Sequence, residues 1–298
     1  MQVQKIILVV RDGWGYTEEK DGNAVFLAST PNHDEYMKEC PWTTLECSGN
    51  AVGLPEGAQG GSEPGHLTMG AGRVIWQPYE DINRQIRDEG FFENKQLLEA
   101  INHVKDGGGR LHLMGLFSDQ GIHGTTHHLY SLLELAKKHG LEEVYIHCFL
   151  DGRDVPERSA DKFFRETDEK IKEIGVGEYA TIVGRYYAMD RDSNWDRTVE
   201  AYNLLTLGKG EPETDPYTAL RNAYNRGDET DYYIKPIVLT GEDGSPKATI
   251  DDGDAVIFWN FRSDRARQIT YALTKKDFEE FKREKHPGTH FVCMSGYD

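Results

Sequence analysis

Hydrophobic and polar positions along the chain follow two repeats that alternate. Short β-branched or aliphatic runs predict strands over 5–10, 43–47, 111–117, 144–150, 180–183, 255–259 and 290–294. Apolar residues at helical spacing predict helices over 31–40, 79–87, 95–104, 127–139, 160–174, 194–205, 217–225 and 264–273. Strands and helices that follow one another at this spacing are typical of an α/β fold with a mostly parallel sheet covered by helices.

A glycine-rich stretch between Ser48 and Gly72 interrupts this alternation and carries Ser62 and His66. Many glycines cost backbone entropy, which a fold tolerates mainly where the backbone approaches something closely. The stretch therefore predicts a loop that exposes the Ser62 hydroxyl. Ser62 lacks the Gly-x-Ser-x-Gly pattern of acyl-transfer enzymes, so it is either an ordinary loop residue or a hydroxyl activated by a metal held near Asp12.

Polar and charged residues follow the predicted strands, where the ligands of open α/β sheets bind. Five arginines in such positions favour a site for a small polyanion, because the guanidinium group binds phosphate or carboxylate through two parallel hydrogen bonds. The alternative is that each arginine forms an ordinary salt bridge with a nearby aspartate. The polar and charged residues that follow predicted strands are Asp12, Asp119, His123, Asp151, Arg153, Asp154, Arg185, Arg191, Asn260, Arg262 and Arg265.

The histidines divide into one candidate and several structural side chains. His123, together with Asp119 and Asp154, is a candidate acid or base beside the arginines. His127 and His128 begin a predicted helix and are expected to cap it or pack against its neighbours. His112 lies inside a predicted strand and is expected to be a core histidine with its hydrogen bonds satisfied.

Composition excludes several classes of function. The 298 residues include 51 acidic and 34 basic side chains, a net charge of −17. This charge argues against binding to nucleic acid or to an anionic membrane, both of which require a basic surface. No run approaches the roughly 20 apolar residues that span a bilayer. The four cysteines show neither metal-ligand nor disulfide spacing, which indicates reduced thiols of a cytoplasmic protein.

The order of the longer motifs resembles that of cofactor-independent phosphoglycerate mutase. The shared motifs are, in chain order, DGWG, GLPEG, GSExGHL (with x at position 64), GAGR, LDGRD, GRYYAMDRD and NFRSDRAR. They extend over essentially the whole chain, which makes the resemblance far more specific than a single glycine signature.

This resemblance implies an α/β fold in which a transferase domain is inserted into an alkaline-phosphatase-like metal domain. Residues 1–75 would open the metal domain, 76–285 would form the inserted substrate-binding domain, and 286–298 would return to the metal domain, which is cut short. The implied activity is that of an isomerase of glycolysis and gluconeogenesis, which interconverts 3-phosphoglycerate and 2-phosphoglycerate through a phosphoserine. It uses two Mn²⁺ or Mg²⁺ ions and no bisphosphoglycerate.

The roles of individual residues follow from the same resemblance. Ser62 is similar to the phosphorylated nucleophile, and Asp12 and Ser62 are similar to ligands of the metal. Asp154 is similar to the acid/base that moves a proton between the glycerate hydroxyls. Seven residues are similar to those that bind the substrate in the family: His123, Arg153, Asp154, Arg185, Arg191, Arg262 and Arg265.

The chain also departs from the family. Family members are longer, and their remaining metal ligands and a substrate-side lysine have no match here. We therefore expect little turnover by this chain alone and a possible second polypeptide that completes the metal site. The alternatives are a non-catalytic phosphoglycerate-binding module and a metal-dependent phosphomonoesterase of the same superfamily. Local departures occur at Ala58, Gln59, Gly61, Pro64, Gln120 and Gly124.

Overall fold

A computed structural model describes residue 5 and residues 7–297. It divides the chain into two compact units, Met1–Gln77 and Pro78–Asp298. In the described part of the first unit the helices are α1 (Ala24–Leu27), α2 (Pro31–Glu39) and α3 (Ser62–Ala71), with a 3-10 turn at Gly49–Val52.

The two strands predicted in the first unit are wrong for the residues described. Residues 5, 7–10 and 43–47 are not in strands, and Ile6 lies outside the described residues. A strand forms only where a second strand accepts its backbone hydrogen bonds, and no strand occurs among the described residues of this unit. The side chains of Ile7, Leu8 and Val9 are consequently 87%, 79% and 74% exposed.

The second unit is built on a seven-stranded sheet with the spatial order β4-β5-β3-β2-β1-β6-β7. All neighbouring strands are parallel except β3 and β5, which are antiparallel. The strands are β1 (Leu111–Phe117), β2 (Val144–Leu150), β3 (Glu178–Gly184), β4 (Glu211–Glu213), β5 (Ile237–Leu239), β6 (Ala255–Phe258) and β7 (His290–Cys293).

Helices cover both faces of this sheet. They are α4 (Pro78–Arg87), α5 (Lys95–Gly107), α6 (Thr126–Lys138), α7 (Ala160–Ile174), α8 (Arg185–Ala188), α9 (Trp195–Leu207), α10 (Pro216–Asn225) and α11 (Arg267–Thr274), with 3-10 turns at Gly90–Glu93 and Asp231–Tyr233. Leu113 and Phe117 of β1 pack in one hydrophobic cluster and Met114 and Leu116 in another. This alternation is what a buried strand requires, because successive side chains point to opposite faces.

The predicted α/β fold with a mostly parallel sheet is confirmed. The bounds of β1, β2 and α7 agree with the sequence prediction, and the other predicted elements of this unit differ by a few residues. The division into three domains stays a prediction. The strand in its last segment, β7, pairs with β6 in the sheet of the second unit.

The histidines inside the sheet are structural. His112 lies 2.9 Å from Asp254 through Nε2 and 2.8 Å from His147 through Nδ1, and His147 reaches Thr181 at 2.8 Å. Burial lowers the pKa of both rings. The interpretation of His112 as a satisfied core histidine is confirmed. His128 is also fully buried, as expected for a packing residue.

Candidate functional site

Ser62 is the first residue of helix α3 in the first unit, with Gly61 as its N-cap. The prediction of a continuous loop over this stretch is therefore wrong. Pro64 is compatible with the helix because the first backbone N–H groups of a helix have no intrahelical partner to lose. The Ser62 hydroxyl donates a hydrogen bond of 2.5 Å to Asp12 Oδ2.

One glycine of this stretch does allow a close backbone approach. A Cβ atom at Gly60 would lie 1.8 Å from the carbonyl oxygen of Cys47. Any other residue would push apart the two backbone segments that meet just before Ser62. The two segments line an open cleft of about 540 Å³ together with Asp12, Ser62 and His66.

Asp12 and Ser62 place two oxygen atoms together, the kind of ligand that Mg²⁺ and Mn²⁺ prefer. Asp12 and Ser62 would fill only two of the six positions of an octahedral site, which leaves the others to water or to ligands from outside the described residues. No group of three His, Cys, Asp or Glu side chains among the described residues is arranged to hold a metal. The described residues thus fit a metal in the kind of ligand but not in number.

Seven predicted site residues lie beyond the carboxyl ends of four strands of the second unit. His123 follows β1, Arg153 and Asp154 follow β2, and Arg185 and Arg191 follow β3, while Arg262 and Arg265 follow β6. We call Arg153, Arg185, Arg191, Arg262 and Arg265 the arginine cluster. The strands that precede these residues are adjacent in the order β3-β2-β1-β6, which is why residues far apart in sequence meet at one sheet edge.

Arg185 is the most buried member of the arginine cluster. Its side chain is 1% exposed, and Nη1 donates hydrogen bonds of 2.6 Å to both Asp151 Oδ1 and Asp154 Oδ2. Its Nε and Nη2 atoms are buried with no hydrogen-bond partner among the described residues. Asp151 Oδ1 also accepts from the backbone N–H groups of Arg153 and Asp154, at 3.2 and 3.0 Å. Asp151 therefore fixes the loop after β2 and Arg185 together.

Asp264 joins two further arginines and the histidine. Its Oδ2 lies 3.1 Å from Arg191 Nη1 and 3.1 Å from Arg262 Nη2, and its Oδ1 lies 3.4 Å from His123 Nδ1 without a hydrogen bond. Burial opposes ionisation of Asp264, but Arg262 and Arg191 hold its pKa below the usual range. Burial and the charge of Arg185 lower the pKa of His123 to about 4. His123 is therefore neutral near pH 7.

Two arginines of the cluster have no acidic partner. Among the described residues, no carboxylate lies within ion-pair distance of Arg153 or Arg265. Arg265 donates instead to the backbone oxygen of Met189 at 3.0 Å. Burial and the charges of Arg185 and Arg191 lower its pKa. An open cleft of about 420 Å³ lies beside Arg153.

The structure thus brings together all the substrate-site residues predicted from the sequence, and their roles stay predictions. Ordinary salt bridges account for Arg191 and Arg262 and for Nη1 of Arg185, but not for Nε and Nη2 of Arg185 or for Arg153 and Arg265. Asp119 does not join the cluster, because it is exposed and pairs with Lys162 at 2.7 Å. The sequence reasoning assigned no role to Asp264, although it lies between two of the predicted arginines in NFRSDRAR.

No helix in the part of the chain that the structure describes is long and apolar enough to cross a membrane. The sequence profile described as BPG-independent PGAM N-terminus (iPGM_N) matches residues 82–298. Within the second unit, this match includes all five members of the arginine cluster.

Whole-chain comparisons agree with the profile. The chain is 53% identical over 294 residues to 2,3-bisphosphoglycerate-independent phosphoglycerate mutase 2 of Methanosarcina acetivorans, covering 98% of this chain and 56% of that protein. It is also 48% identical over 298 residues to the 2,3-bisphosphoglycerate-independent phosphoglycerate mutase of Clostridium perfringens. That match covers 100% of this chain and 58% of that protein. The chain spans somewhat more than half the length of these relatives.

A solved structure has the same fold. The crystal structure of Leishmania mexicana phosphoglycerate mutase at low cobalt concentration matches with a TM-score of 0.76 and 32% identity. The match covers 95% of this chain and 53% of that chain. The mixed α/β architecture described above is therefore one that a phosphoglycerate mutase also adopts.

Proposed function

Because the chain belongs to the BPG-independent PGAM N-terminus family, we propose that it is the N-terminal part of a 2,3-bisphosphoglycerate-independent phosphoglycerate mutase. The whole enzyme would be an isomerase that interconverts 3-phosphoglycerate and 2-phosphoglycerate. The part played by this chain is to bind the phosphoglycerate at the arginine cluster and to supply the serine that carries the phosphoryl group. A place in glycolysis, and with it a cytoplasmic location, belong to the same proposal.

The observation that carries this proposal is that the Arg185 guanidinium group is buried while its Nε and Nη2 atoms have no hydrogen-bond partner among the described residues. A buried guanidinium group with two unpartnered nitrogens is costly, because each lost hydrogen bond to a charged group leaves an unpaid desolvation penalty. An anionic ligand would satisfy Nε and Nη2 and remove that cost. Phosphoglycerate carries two anionic groups, a phosphate and a carboxylate, and Arg153 and Arg265 offer further positive charge without acidic partners.

The proposed chemistry of Ser62 rests on its place in helix α3. The first backbone N–H groups of this ten-residue helix are free of intrahelical partners and carry the positive end of the helix dipole. A phosphoryl group on Ser62 would be stabilised there. In the second unit, Asp154 would be the acid/base, and its ion pair with Arg185 would orient its carboxylate towards the glycerate hydroxyls.

The metal belongs to the proposal for the whole enzyme. Asp12 and Ser62 would be this chain's ligands to one of two Mn²⁺ or Mg²⁺ ions, and no bisphosphoglycerate would be needed. The other ligands would come from the portion of the relatives that this chain does not match, in the same polypeptide or in a second one. When bound, the metal would lower the pKa of the serine hydroxyl.

Isothermal titration of the chain with 3-phosphoglycerate tests the binding role. We expect binding that Arg262→Ala abolishes and that Ser62→Ala leaves intact. Arg165→Ala is the matched control, because Arg165 is an exposed arginine on α7 that pairs with Asp161 at 2.8 Å, outside the cluster. Equal loss of affinity in Arg262→Ala and Arg165→Ala, or no binding at all by the unchanged chain, would refute the proposal.

A turnover assay with 3-phosphoglycerate, with and without Mn²⁺, tests the incompleteness of the metal site. We expect little or no 2-phosphoglycerate, since the described residues supply two ligands. Metal-dependent turnover that disappears in Ser62→Ala would show that the chain completes the site by itself. Release of inorganic phosphate without 2-phosphoglycerate would favour the phosphomonoesterase instead.

A further inference from the structure

The loop that carries Arg191 has an unusual backbone. Ser193 adopts a φ of +61°, one of two non-glycine residues with positive φ in the described part of the chain. A side chain with a Cβ atom rarely adopts this conformation, and it persists only where the surroundings hold it in place. The contacts that hold residues 190–194 must therefore offset the conformational strain at Ser193.

Asp190 provides the first of these contacts. It is 4% exposed. Its Oδ1 accepts from the backbone N–H groups of Asp192 at 3.0 Å and Asn194 at 2.9 Å, and its Oδ2 accepts from the Asn194 side chain at 2.9 Å and Arg197 Nη1 at 3.2 Å. These bonds close the loop on itself, but they do not connect it to the other arginines.

Gln268 makes that connection. It is the second residue of helix α11 and is 7% exposed. Its Oε1 accepts from the backbone N–H of Ser193 at 2.8 Å, and its Nε2 donates to Asp190 Oδ1 and to Thr198 Oγ1, both at 3.0 Å. One side-chain amide thus holds both the strained residue and the aspartate that closes the loop.

The position of Gln268 in the chain links the Arg191 loop to two other arginines of the cluster. It comes three residues after Arg265 and six after Arg262, on the segment that follows β6. Arg191 follows β3, which lies two strands away from β1 and three from β6. We propose that Gln268 is a positioning residue that fixes the Arg191 loop relative to Arg262 and Arg265.

The inference rests on the proposed function, because its effect is on the binding of phosphoglycerate. The Arg191 side chain is 44% exposed, and its ion pair with Asp264 is shared with Arg262. An exposed arginine on a loop must be ordered when it engages a ligand, which weakens binding. A loop already held by Gln268 avoids most of that cost, so the effect of Gln268 should depend on Arg191 being present.

A double-mutant cycle measures this dependence. Gln268→Met keeps the length and the apolar part of the side chain and removes all three hydrogen bonds, while Asp190 keeps its other donors. The dissociation constant for 3-phosphoglycerate is measured by calorimetry for the unchanged chain, Gln268→Met, Arg191→Ala and the double variant. Gln85→Met is the matched control, since the Gln85 amide bonds to Asp81 within its own helix α4.

We expect Gln268→Met to weaken binding about tenfold when Arg191 is present, which is typical of neighbouring residues that are coupled. In the Arg191→Ala background the same change should weaken binding less than about twofold. Equal effects in both backgrounds, or no effect in either, would overturn the inference while the proposed function stands. Absence of binding by the unchanged chain would overturn the proposed function and this inference with it. Thermal unfolding of each variant separates a folding defect from a positioning effect.

Discussion

Replacing Arg185 by methionine separates two consequences of the arginine cluster, stability and binding. Arg185 and Asp151 are 1% and 0% exposed and lie 2.6 Å apart. Methionine fills much of the space but leaves the Asp151 carboxylate buried without its counter-charge. Breaking such a pair on one side costs about 3–5 kcal/mol. For a unit of the size of residues 78–298 this corresponds to a fall in unfolding temperature of roughly 6–20 °C.

A second substitution isolates the cause. In Arg185→Met/Asp151→Asn the buried charge is gone, and the asparagine oxygen can still accept from the backbone N–H groups of Arg153 and Asp154. We expect most of the lost stability to return.

Binding should behave differently from stability. Both variants lack the guanidinium group. Hydrogen bonds to a charged group contribute about 1.5–3 kcal/mol, so we expect the affinity of each variant for 3-phosphoglycerate to fall roughly 10- to 150-fold. Calorimetric titration and thermal unfolding of the same samples provide both quantities. Normal affinity in the double variant would refute the assignment of Arg185 to the anion site. Unchanged stability in Arg185→Met would refute the reasoning about the buried ion pair.

Two further predictions concern the scaffold. Burial lowers the pKa of His128 to about 3 from 6.5, so the unfolded chain binds this proton first as the pH falls. Stability should therefore decrease below the unfolded pKa, by about 2 kcal/mol between roughly pH 7.5 and 5 from this group. His128 Nε2 lies 3.0 Å from Asn83 Oδ1, and glutamine in its place keeps an N–H donor for that oxygen. Denaturant unfolding of His128→Gln at both pH values should therefore show a loss of stability in acid that is smaller by about 2 kcal/mol. A Cβ atom at Gly115, where φ is +155°, would lie 2.6 Å from the Trp259 ring. Gly115→Ala should lower the free energy of unfolding by about 2–4 kcal/mol, whereas Gly107→Ala, with open space around it, should not; equal stability of the two variants would contradict this argument.

The fold of the second unit could be predicted from the sequence because its signals are local. The hydrophobic runs of β1 and β2 and the helical spacing of α7 each fit one period over seven or more residues. The strands β4 and β5 have three residues each, too few for a period to be recognised. In the first unit, Ile7–Val10 has the composition of a strand but no partner strand among the described residues. Pairing partners are not a local property of the sequence.

The candidate site could be predicted in part for a related reason. Topology brings strand ends to one edge, so residues that follow strands were good candidates, and Arg185 and Asp154 do meet there. The connecting groups were missed. Gln268 and Asp264 act through contacts with residues about 70 positions away, at 3.0 and 3.1 Å, and nothing in the spacing of the sequence marks such pairs.

The carboxylate of Asp264 serves as an internal counter-ion for Arg191 and Arg262. Under the proposed function, binding would exchange one anion for another at these guanidinium groups. The protein's own carboxylate screens these charges from dissolved salt, so the affinity should depend less on ionic strength than a bare cluster of cations would. Exchange also sets a threshold for the ligand. A monovalent carboxylate would only replace what Asp264 already supplies, whereas a ligand with a phosphate as well would give the arginines a second anionic group.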